Sequence, residues 1–392
     1  MNFLLKDVTW HDGRDNVTGD LRIRKGTIVE TGKGLMLKKD EHAEEFTGHF
    51  IYPGLVNAHD HLEMNLYPRL GSPPYQNYVE WAKDIYRPAE SPIREIEKLD
   101  LRTRLLWGGL KNLVGGATTV VHHNPWHRSL GSKDFPVTVQ KVGWAHSLAF
   151  EKRIASKFPS NVHTPFVVHA AEGIDESARS EIEKLERLDL LKANTVIVHG
   201  VGLNHESIEM LTRHRCAVVW CPVSNLFLFH RTAPVGELKQ HTPVTLGTDS
   251  TLTGSPTLLD EMKAANETHL ATAREIFDMV TAKAAEIFRL PPPSISAGNI
   301  ANVFVAPALK KDYFENLLGL MPADIALVIA RGTPELKNME SATRWNFLKN
   351  KIRVGDSWKY ARMDVDSLKG KIEKQVPLPI LEQNPLWRLI AV

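Results

Sequence analysis

Two histidines separated by one residue, His59 and His61, follow an apolar run that begins at Ile51. Alternate residues of a β-strand face the same side, so both imidazoles could bind one metal ion. The chain has 17 histidines among 392 residues, and such pairs can arise by chance. The isolated motif is therefore only a weak indication of a metal site. Its weight depends on which polar residues end the later apolar runs.

Several later strand-like segments also stop at a polar side chain. Residues 164–168 precede His169, 194–198 precede His199, 216–220 precede Cys221, and 243–246 precede Gly247-Thr248-Asp249. Nearly continuous apolar strands with helical intervals between them are typical of a buried parallel sheet. In a (β/α)8 barrel, catalytic groups lie at the carboxyl ends of several strands. We therefore predict an α/β protein with a TIM-like barrel.

The same residues resemble the amidohydrolase superfamily, and most closely its mononuclear aminohydrolases, relatives of guanine and S-adenosylhomocysteine deaminases and of triazine hydrolase. The matching stretches occur in the family's order and are residues 53–61, 169–172, 198–200, 221–226 and 246–249. The resemblance implies that one divalent metal is bound by His59, His61, His169 and Asp249. It also implies that Glu172 and His199 act on the substrate.

The chemistry of these residue types agrees with the resemblance. Three neutral imidazoles and a carboxylate suit zinc, or iron(II), and leave a position for water. A bound metal lowers the pKa of that water to about 7. Asp249 would accept its proton, His199 would hydrogen-bond the attacking hydroxide or the oxyanion, and Glu172 would pass a proton to a substrate nitrogen. We predict hydrolysis of C–N bonds, most simply deamination of a small nitrogen heterocycle.

Several alternatives stay open at this point. The motifs specify the attacking group and not the leaving group, so amide or halide hydrolysis would use the same site. A catalytically silent relative that binds a metal or ligand is a third reading. In a binuclear site, a carboxylated Lys141 would bridge two metals and His199 would become a ligand. Taken singly, Glu172 could open an acidic helix, and Asp249 could be a turn residue.

Residues near the predicted site are candidates for substrate contacts. They follow the first histidine pair or the ends of the second and seventh strands, and they are Glu63, His123, Trp126, Asn225 and Arg231. An arginine would suit an anionic or carbonyl-bearing substrate. The identity of the substrate is not specified by these residues.

Composition limits the class of protein. Apolar residues make up 43% and charged residues 24%, and the net charge is +2, which are ordinary globular values. No basic stripe suggests nucleic acid, no apolar run is long enough for a membrane span, and the N-terminal residues do not resemble a secretory signal. Two cysteines do not make a disulfide framework. We expect a cytoplasmic enzyme with a small-molecule substrate, and a homo-oligomer only because relatives commonly form one.

The two chain ends are expected to pack together. Residues 1–50 and 296–392 are predicted to form a small β-sandwich with a C-terminal tail anchored by Trp387 and Leu389, and residues 51–295 the barrel. Only one convincing strand, within residues 137–144, lies between the strand that ends near His123 and the strand that ends at His169. We therefore predict a barrel that is irregular or short of one βα unit.

Overall fold

The computed structural model describes residues 1–339 and 345–390. In this part of the chain the strands, in chain order, are β1 Asn2–His11, β2 Asn16–Arg24, β3 Thr27–Gly32, β4 His42–Pro53, β5 Leu55–Asp60, β6 Ala117–His122, β7 Thr138–Gln140, β8 Gly143–Ser147, β9 Phe166–Ala170, β10 Thr195–His199, β11 Ala217–Trp220, β12 Val244–Leu246, β13 Val303–Pro307, β14 Leu327–Ala330, β15 Thr333–Asn338, β16 Asn350–Val354 and β17 Ser357–Ala361.

The helices lie mostly between the strands of the middle region. They are α1 Tyr78–Ile85, α2 Ile93–Glu97, α3 Leu101–Val114, α4 Glu176–Arg179, α5 Glu181–Arg187, α6 His205–Arg213, α7 Pro222–Phe229, α8 Val235–His241, α9 Leu258–Glu267, α10 Ala273–Met279, α11 Ala282–Phe288, α12 Tyr313–Gly319, α13 Val365–Glu373, α14 Leu378–Leu381 and α15 Pro385–Ile390. None of these described helices is both long enough and apolar enough to cross a membrane.

The middle region is built on parallel strands, as the sequence predicted. Strands β5, β6 and β7 form one parallel sheet in that order, and β8 to β12 form a second one in which each strand pairs with the next. Strands β5, β6, β9 and β10 are buried along their whole length. Burial on both faces explains why the apolar residues of β9 and β10 are consecutive and do not alternate with polar residues.

The predicted irregularity falls between β7 and β8. Strand β7 pairs with β6 and β8 pairs with β9, but only Lys141 and Val142 join the two strands, and no helix separates them. The sequence showed a single strand here because the apolar run is nearly continuous. Its first part pairs with one sheet and its second part with the other.

Both chain ends contribute to one large, mainly antiparallel sheet. Its nine strands run in the order β16-β17-β15-β14-β13-β4-β1-β2-β3, with β1 and β4 parallel. One face is covered by a separate apolar cluster that includes Phe3, Ile23, Val303 and Trp345. The structure thus joins strands from residues 2–53 and 303–361, whereas a sandwich of two sheets and the exact division into domains stay predictions. Residues 340–344 and 391–392 of the predicted C-terminal part lie outside the described residues.

The C-terminal helices pack against the middle region of the chain. The Trp387 ring lies 5.2 Å from the ring of Trp107 in α3. The side chain of Asn384 donates to the carbonyl oxygen of Tyr67 at 2.7 Å. Trp387 is buried and Leu389 packs against the same core. Both residues therefore anchor the tail to the body of the protein.

Candidate metal centre and active site

Four buried histidines gather at the carboxyl ends of the parallel strands. His59 lies in β5, His61 directly after it, His123 directly after β6, and His169 in β9, and one ring nitrogen of each lies within 4.8 Å of the others. Nε2 of His59 and Nε2 of His169 are 3.2 Å apart. Two nitrogen ligands of one tetrahedral zinc, each about 2.0–2.1 Å from it, would be about 3.4 Å apart. The spacing suits a shared metal ion.

Asp249, the fourth predicted metal ligand, lies close to two of these histidines. Its Oδ1 atom lies 3.9 Å from Nε2 of His59 and 3.8 Å from Nε2 of His61. Its other oxygen, Oδ2, accepts hydrogen bonds from the hydroxyls of Thr253 at 2.8 Å and Ser224 at 3.0 Å. The hydroxyls therefore hold the carboxylate with Oδ1 turned toward the histidines.

The backbone contributes to this orientation. Asp249 has a φ of 55° and His199 a φ of 75°, values in the left-handed region that non-glycine residues seldom adopt. The amide of Asp249 donates to the carbonyl oxygen of His59 at 3.0 Å. The loop after β12 is thus tied directly to the strand that carries the first histidine pair.

Three histidines of the cluster, His59, His123 and His169, are held in the neutral form that a metal ligand requires. Burial, reinforced by neighbouring imidazoles, lowers the pKa of His59, His123 and His169 well below the ordinary value. Nδ1 of His169 contacts the carbonyl oxygen of His146 at 2.9 Å. Because this contact requires Nδ1 to carry the proton, it leaves Nε2 free as a ligand atom.

The charge of Asp249 fits a metal ligand as well. Burial alone would raise the pKa of its carboxyl, but the nearby imidazoles of His61 and His199 and the hydrogen bonds from Thr253 and the Ser250 amide lower it below the ordinary value. The side chain is therefore a carboxylate at neutral pH.

Glu172 and His199 form a second polar pair beside the cluster. Oε1 of Glu172 lies 3.6 Å from Nε2 of His199. Nδ1 of His199 donates to Oδ1 of Asn225 at 2.9 Å, which leaves Nε2 available on the side of Glu172. Burial, with the Asp249 carboxylate adding to it, raises the pKa of Glu172 well above the ordinary value. A carboxyl of this kind can carry a proton at neutral pH.

A buried ion-pair network lies beside the predicted ligands. Nζ of Lys111, on α3, contacts Oδ2 of Asp60 at 3.2 Å, Oγ1 of Thr248 at 2.9 Å and the carbonyl oxygen of Asp249 at 2.7 Å. Lys111 and Asp60 are both fully buried. Asp60 stands between His59 and His61, so this lysine links the first histidine pair to the loop that carries Asp249.

A cavity of about 510 Å³ opens from this cluster. Its inner end is lined by polar side chains of the site, namely His61, His146, His169, Glu172, His199, Asp249 and Ser250. Its outer part is formed largely by residues of α1, α2 and the loops near them. The side chain of Asn77 caps α1, and the amide of Tyr78 donates to the carbonyl oxygen of Glu172 at 3.1 Å. This contact fixes the start of α1 against the site.

The candidate substrate residues are placed unevenly. Asn225 orients His199, as described above, and His123 belongs to the histidine cluster. Glu63 accepts from Nδ2 of Asn124 at 2.6 Å and lies beside the cluster without lining the cavity. Trp126 and Arg231 are exposed and do not line it either. For these three residues a contact with the substrate stays a prediction.

The structure does not place Lys141 where a bridging ligand would be needed. Lys141 is exposed, and its Nζ lies 5.7 Å from the ring centre of the equally exposed Trp126. It lies between β7 and β8 rather than at the end of a strand that points into the site. The exposed position of Lys141 argues against a binuclear site that uses this lysine. The number of metal ions stays a prediction.

Sequence reasoning missed three contributors to the site. His123 was predicted to contact substrate and not to belong to the metal cluster. His146 lines the cavity. The sequence could have indicated it, because His146 is a polar residue near the end of a strand, but the predicted strand ended at Trp144. Lys111 gave no signal, because a lone lysine in a helical segment normally indicates a solvated face.

Part of the chain matches a known protein family. Residues 145–334 match the model of the amidohydrolase family. The matched range covers just under half of the chain and includes His169, His199 and Asp249. The resemblance carried by the sequence motifs is thereby confirmed, as is the predicted class of metal-dependent hydrolase acting on carbon–nitrogen bonds.

Several named deaminases and hydrolases are similar to this protein along most of the chain. A 5-methylthioadenosine/S-adenosylhomocysteine deaminase from Thermococcus sibiricus is 25% identical over 372 residues, covering 78% of this chain and 85% of that protein. The structure of an adenosine deaminase from Xanthomonas campestris with bound zinc gives a TM-score of 0.75 at 16% identity, covering 95% of this chain and 97% of the other. Zinc-bound atrazine chlorohydrolase from Arthrobacter aurescens gives 0.70 at 16% identity, covering 94% and 100%. These two structures show a common fold.

Proposed function

We propose that this amidohydrolase is a metal-dependent deaminase that replaces an exocyclic amino group of a small nitrogen heterocycle with oxygen from water. The observation that carries the proposal is the meeting of two polar groups at one end of a cavity. One is the histidine cluster with Oδ1 of Asp249, and the other is the pair Glu172 and His199, 3.6 Å apart. Deaminase relatives at 25–27% identity support the same reaction.

The donor set fits a single divalent metal with zinc-like preferences. His59, His61 and His169 would supply imidazole nitrogens, and Asp249 a carboxylate oxygen. Nδ1 of His123 is buried without a hydrogen-bond partner, and its Nε2 lies 2.9 Å from the carbonyl oxygen of Ala145. His123 is therefore an additional nitrogen donor beside the other three histidines, and the metal would not require it. When bound, the metal would supply an activated water at neutral pH.

The residues of this chain then divide the proton transfers among them. Oδ1 of Asp249 is the base nearest the histidines and would take a proton from the attacking water, while Thr253 and Ser224 hold its other oxygen. Nε2 of His199, positioned by Asn225, would hydrogen-bond the oxygen that adds to the ring carbon. Glu172 would deliver a proton to the ring nitrogen as the water oxygen adds to the ring carbon, and the proton taken up by Asp249 would pass to the departing amine. As ammonia leaves, the hydroxyl proton of the intermediate would return to Glu172, so that water and the amino-substituted ring become a ring carbonyl with a protonated ring nitrogen and ammonia.

The proposal includes a closed barrel that holds these groups in register. Two features of the structure support closure of the barrel. The Asp249 amide donates to the His59 carbonyl oxygen, which joins the end of β12 to β5, and the two-residue link 141–142 makes β7 and β8 continuous. We assign the barrel to residues 51–295 and a small β-sandwich with a tail to residues 1–50 and 296–392. This division would place all proposed ligands in one domain.

Metal analysis coupled to an ammonia-release screen tests the proposal. Protein purified without chelator should contain about one zinc or iron per chain, and it should release ammonia from at least one member of a panel of aminopurines, aminopyrimidines, pterins and triazines. Removing the metal should abolish release, and adding zinc back should restore it. Stoichiometric metal without ammonia release from any of these rings would contradict the deaminase assignment.

Substitutions separate the ligand sets. Asp249→Asn should remove activity and weaken metal binding, because the amide cannot replace a charged ligand or a base. His123→Asn should leave the metal content near that of the parent, because the proposed ligand set does not require His123. His163→Asn, at an exposed histidine, controls for general effects of losing an imidazole. Full activity in Asp249→Asn would overturn its assigned role.

A further inference from the structure

The outer part of the active-site cavity differs in character from its inner end. Its wall is formed by aromatic and aliphatic side chains, among them Met64, Leu70, Trp81, Ile85, Ile93 and Phe150. Among the described residues that line this outer part, Lys83 and Glu97 alone carry charge, and both are exposed. The cavity therefore changes from polar to apolar along its length.

The polar atoms of two aromatic residues in this wall, Tyr78 and Trp81, are already hydrogen-bonded within the protein. The Tyr78 hydroxyl donates to Oε1 of Glu181 at 3.0 Å and accepts from the Ala149 amide at 3.3 Å. Nε1 of Trp81 donates to the carbonyl oxygen of Leu70 at 3.0 Å. These side chains consequently offer their ring surfaces to a bound molecule.

From this wall, and resting on the proposed function, we propose that the substrate is an amino-substituted nitrogen heterocycle with an apolar alkyl or aryl substituent in place of a sugar. The ring and its amine would lie at the polar inner end, beside Glu172 and His199. The substituent would fill the apolar outer part. A cavity of about 510 Å³ is within the usual range for ligands larger than a bare ring.

A ribosyl group would fit this wall poorly on energetic grounds. Its hydroxyls would leave water for a wall of mainly aromatic and aliphatic surfaces, in which the polar atoms of Tyr78 and Trp81 already have partners, and a buried hydroxyl without a partner is unfavourable. An apolar group of similar size gains from the same burial, by about fourfold in binding for each methylene. The two effects act in the same direction, so the apolar substituent is preferred.

Matched substrate pairs test this inference. Adenosine and 9-benzyladenine, and cytidine and 1-benzylcytosine, share the reacting ring and amine but differ in the substituent. On the zinc-loaded protein, kcat/KM should favour the benzyl member of a pair by about 10²-fold. In the series from 9-methyladenine to 9-pentyladenine it should rise about fourfold per methylene until the cavity is full. Equal or faster turnover of the ribosyl member would overturn the inference while leaving the deaminase proposal intact.

Binding to metal-free protein gives a second readout that does not depend on turnover. Titration calorimetry should show tighter binding of the benzyl compounds than of the nucleosides. If no ring releases ammonia, the deaminase proposal fails and this comparison alone decides the inference. Equal affinity of the two members would then refute it.

A pocket variant localises the effect. Phe150 is 47% exposed and its ring lies 5.6 Å from that of Tyr78, so Phe150→Ala should fold. It should lower kcat/KM for the benzyl compound about tenfold, with a smaller loss for 9-methyladenine. Trp358→Ala, at an exposed tryptophan in β17, should change neither value. Equal losses for both substrates in Phe150→Ala would contradict the assigned position of the substituent.

Discussion

The buried Lys111 is expected to hold the two halves of the metal site together, and Lys111→Met tests this directly. Methionine has a similar length and suits a helix, so the substitution removes the charge with little change in volume. Three acceptors lose the ammonium, namely Oδ2 of Asp60, Oγ1 of Thr248 and the carbonyl oxygen of Asp249. The carboxylate of Asp60 would remain fully buried without its cation.

The size of the effect follows from this burial. Removing one partner of a buried ion pair costs about 3–5 kcal/mol. With an unfolding entropy of about 2 cal/mol/K per residue, each kcal/mol corresponds to about 1.2 °C in Tm for a chain of 392 residues. Lys111→Met should therefore lower Tm by about 4–6 °C. Because Asp60 stands between two ligands, metal affinity should also fall by about 10–100-fold.

Thermal unfolding followed by circular dichroism, at one fixed scan rate on metal-free protein, measures the first effect. Competition with a zinc chelator measures the second. Lys283→Met is the control, because that lysine makes a surface ion pair with Glu286 at 3.3 Å, and such pairs contribute little. Adding Asp60→Asn to Lys111→Met should recover part of the lost stability, since it removes the orphaned charge. A Tm for Lys111→Met within about 1 °C of the control would refute the reasoning.

Three further predictions concern proton transfer and titration. Glu172→Gln should keep the metal but lower kcat by about 10²-fold, and unchanged turnover would exclude Glu172 as the proton donor. Asn225→Asp should raise the pKa of His199, because a carboxylate partner favours the charged imidazole, and the pH profile of kcat should move to higher pH. Asn225→Leu should lower kcat without that shift. Identical pH profiles for the two variants would contradict the positioning role of Asn225. Burial raises the pKa of Glu261 from 4.5 to about 8. The folded protein therefore keeps a proton that the unfolded chain releases, and stability falls as pH rises from about 4.5 to 8. Glu261→Gln should remove this loss, so that at pH 8.5 its free energy of unfolding exceeds that of the parent by an amount on the order of a few kcal/mol, with a correspondingly higher Tm. Parallel Tm curves of the two proteins between pH 6 and 8.5 would count against it.

Much of the site could be predicted because parallel strands impose a simple rule. Their carboxyl ends meet at one edge, so residues that end apolar runs, such as His59, His169, His199 and Asp249, must come near one another. The sequence also determined the α/β class and indicated that β-strands of the two chain ends pack together. It indicated the irregular place before His169 as well, because a missing apolar run is visible without any coordinates.

Only the tertiary structure decided which side chains act through contacts made far along the chain. His123 joins the cluster because β6 lies beside β5, and Lys111 reaches Asp60 because α3 packs behind that strand. Lys141 was only an alternative ligand, and its exposure between β7 and β8 is visible only in the structure. The apolar wall of the cavity comes from α1, α2 and separate loops. Local sequence records the ends of strands, whereas the lining of a cavity depends on how distant segments pack around it.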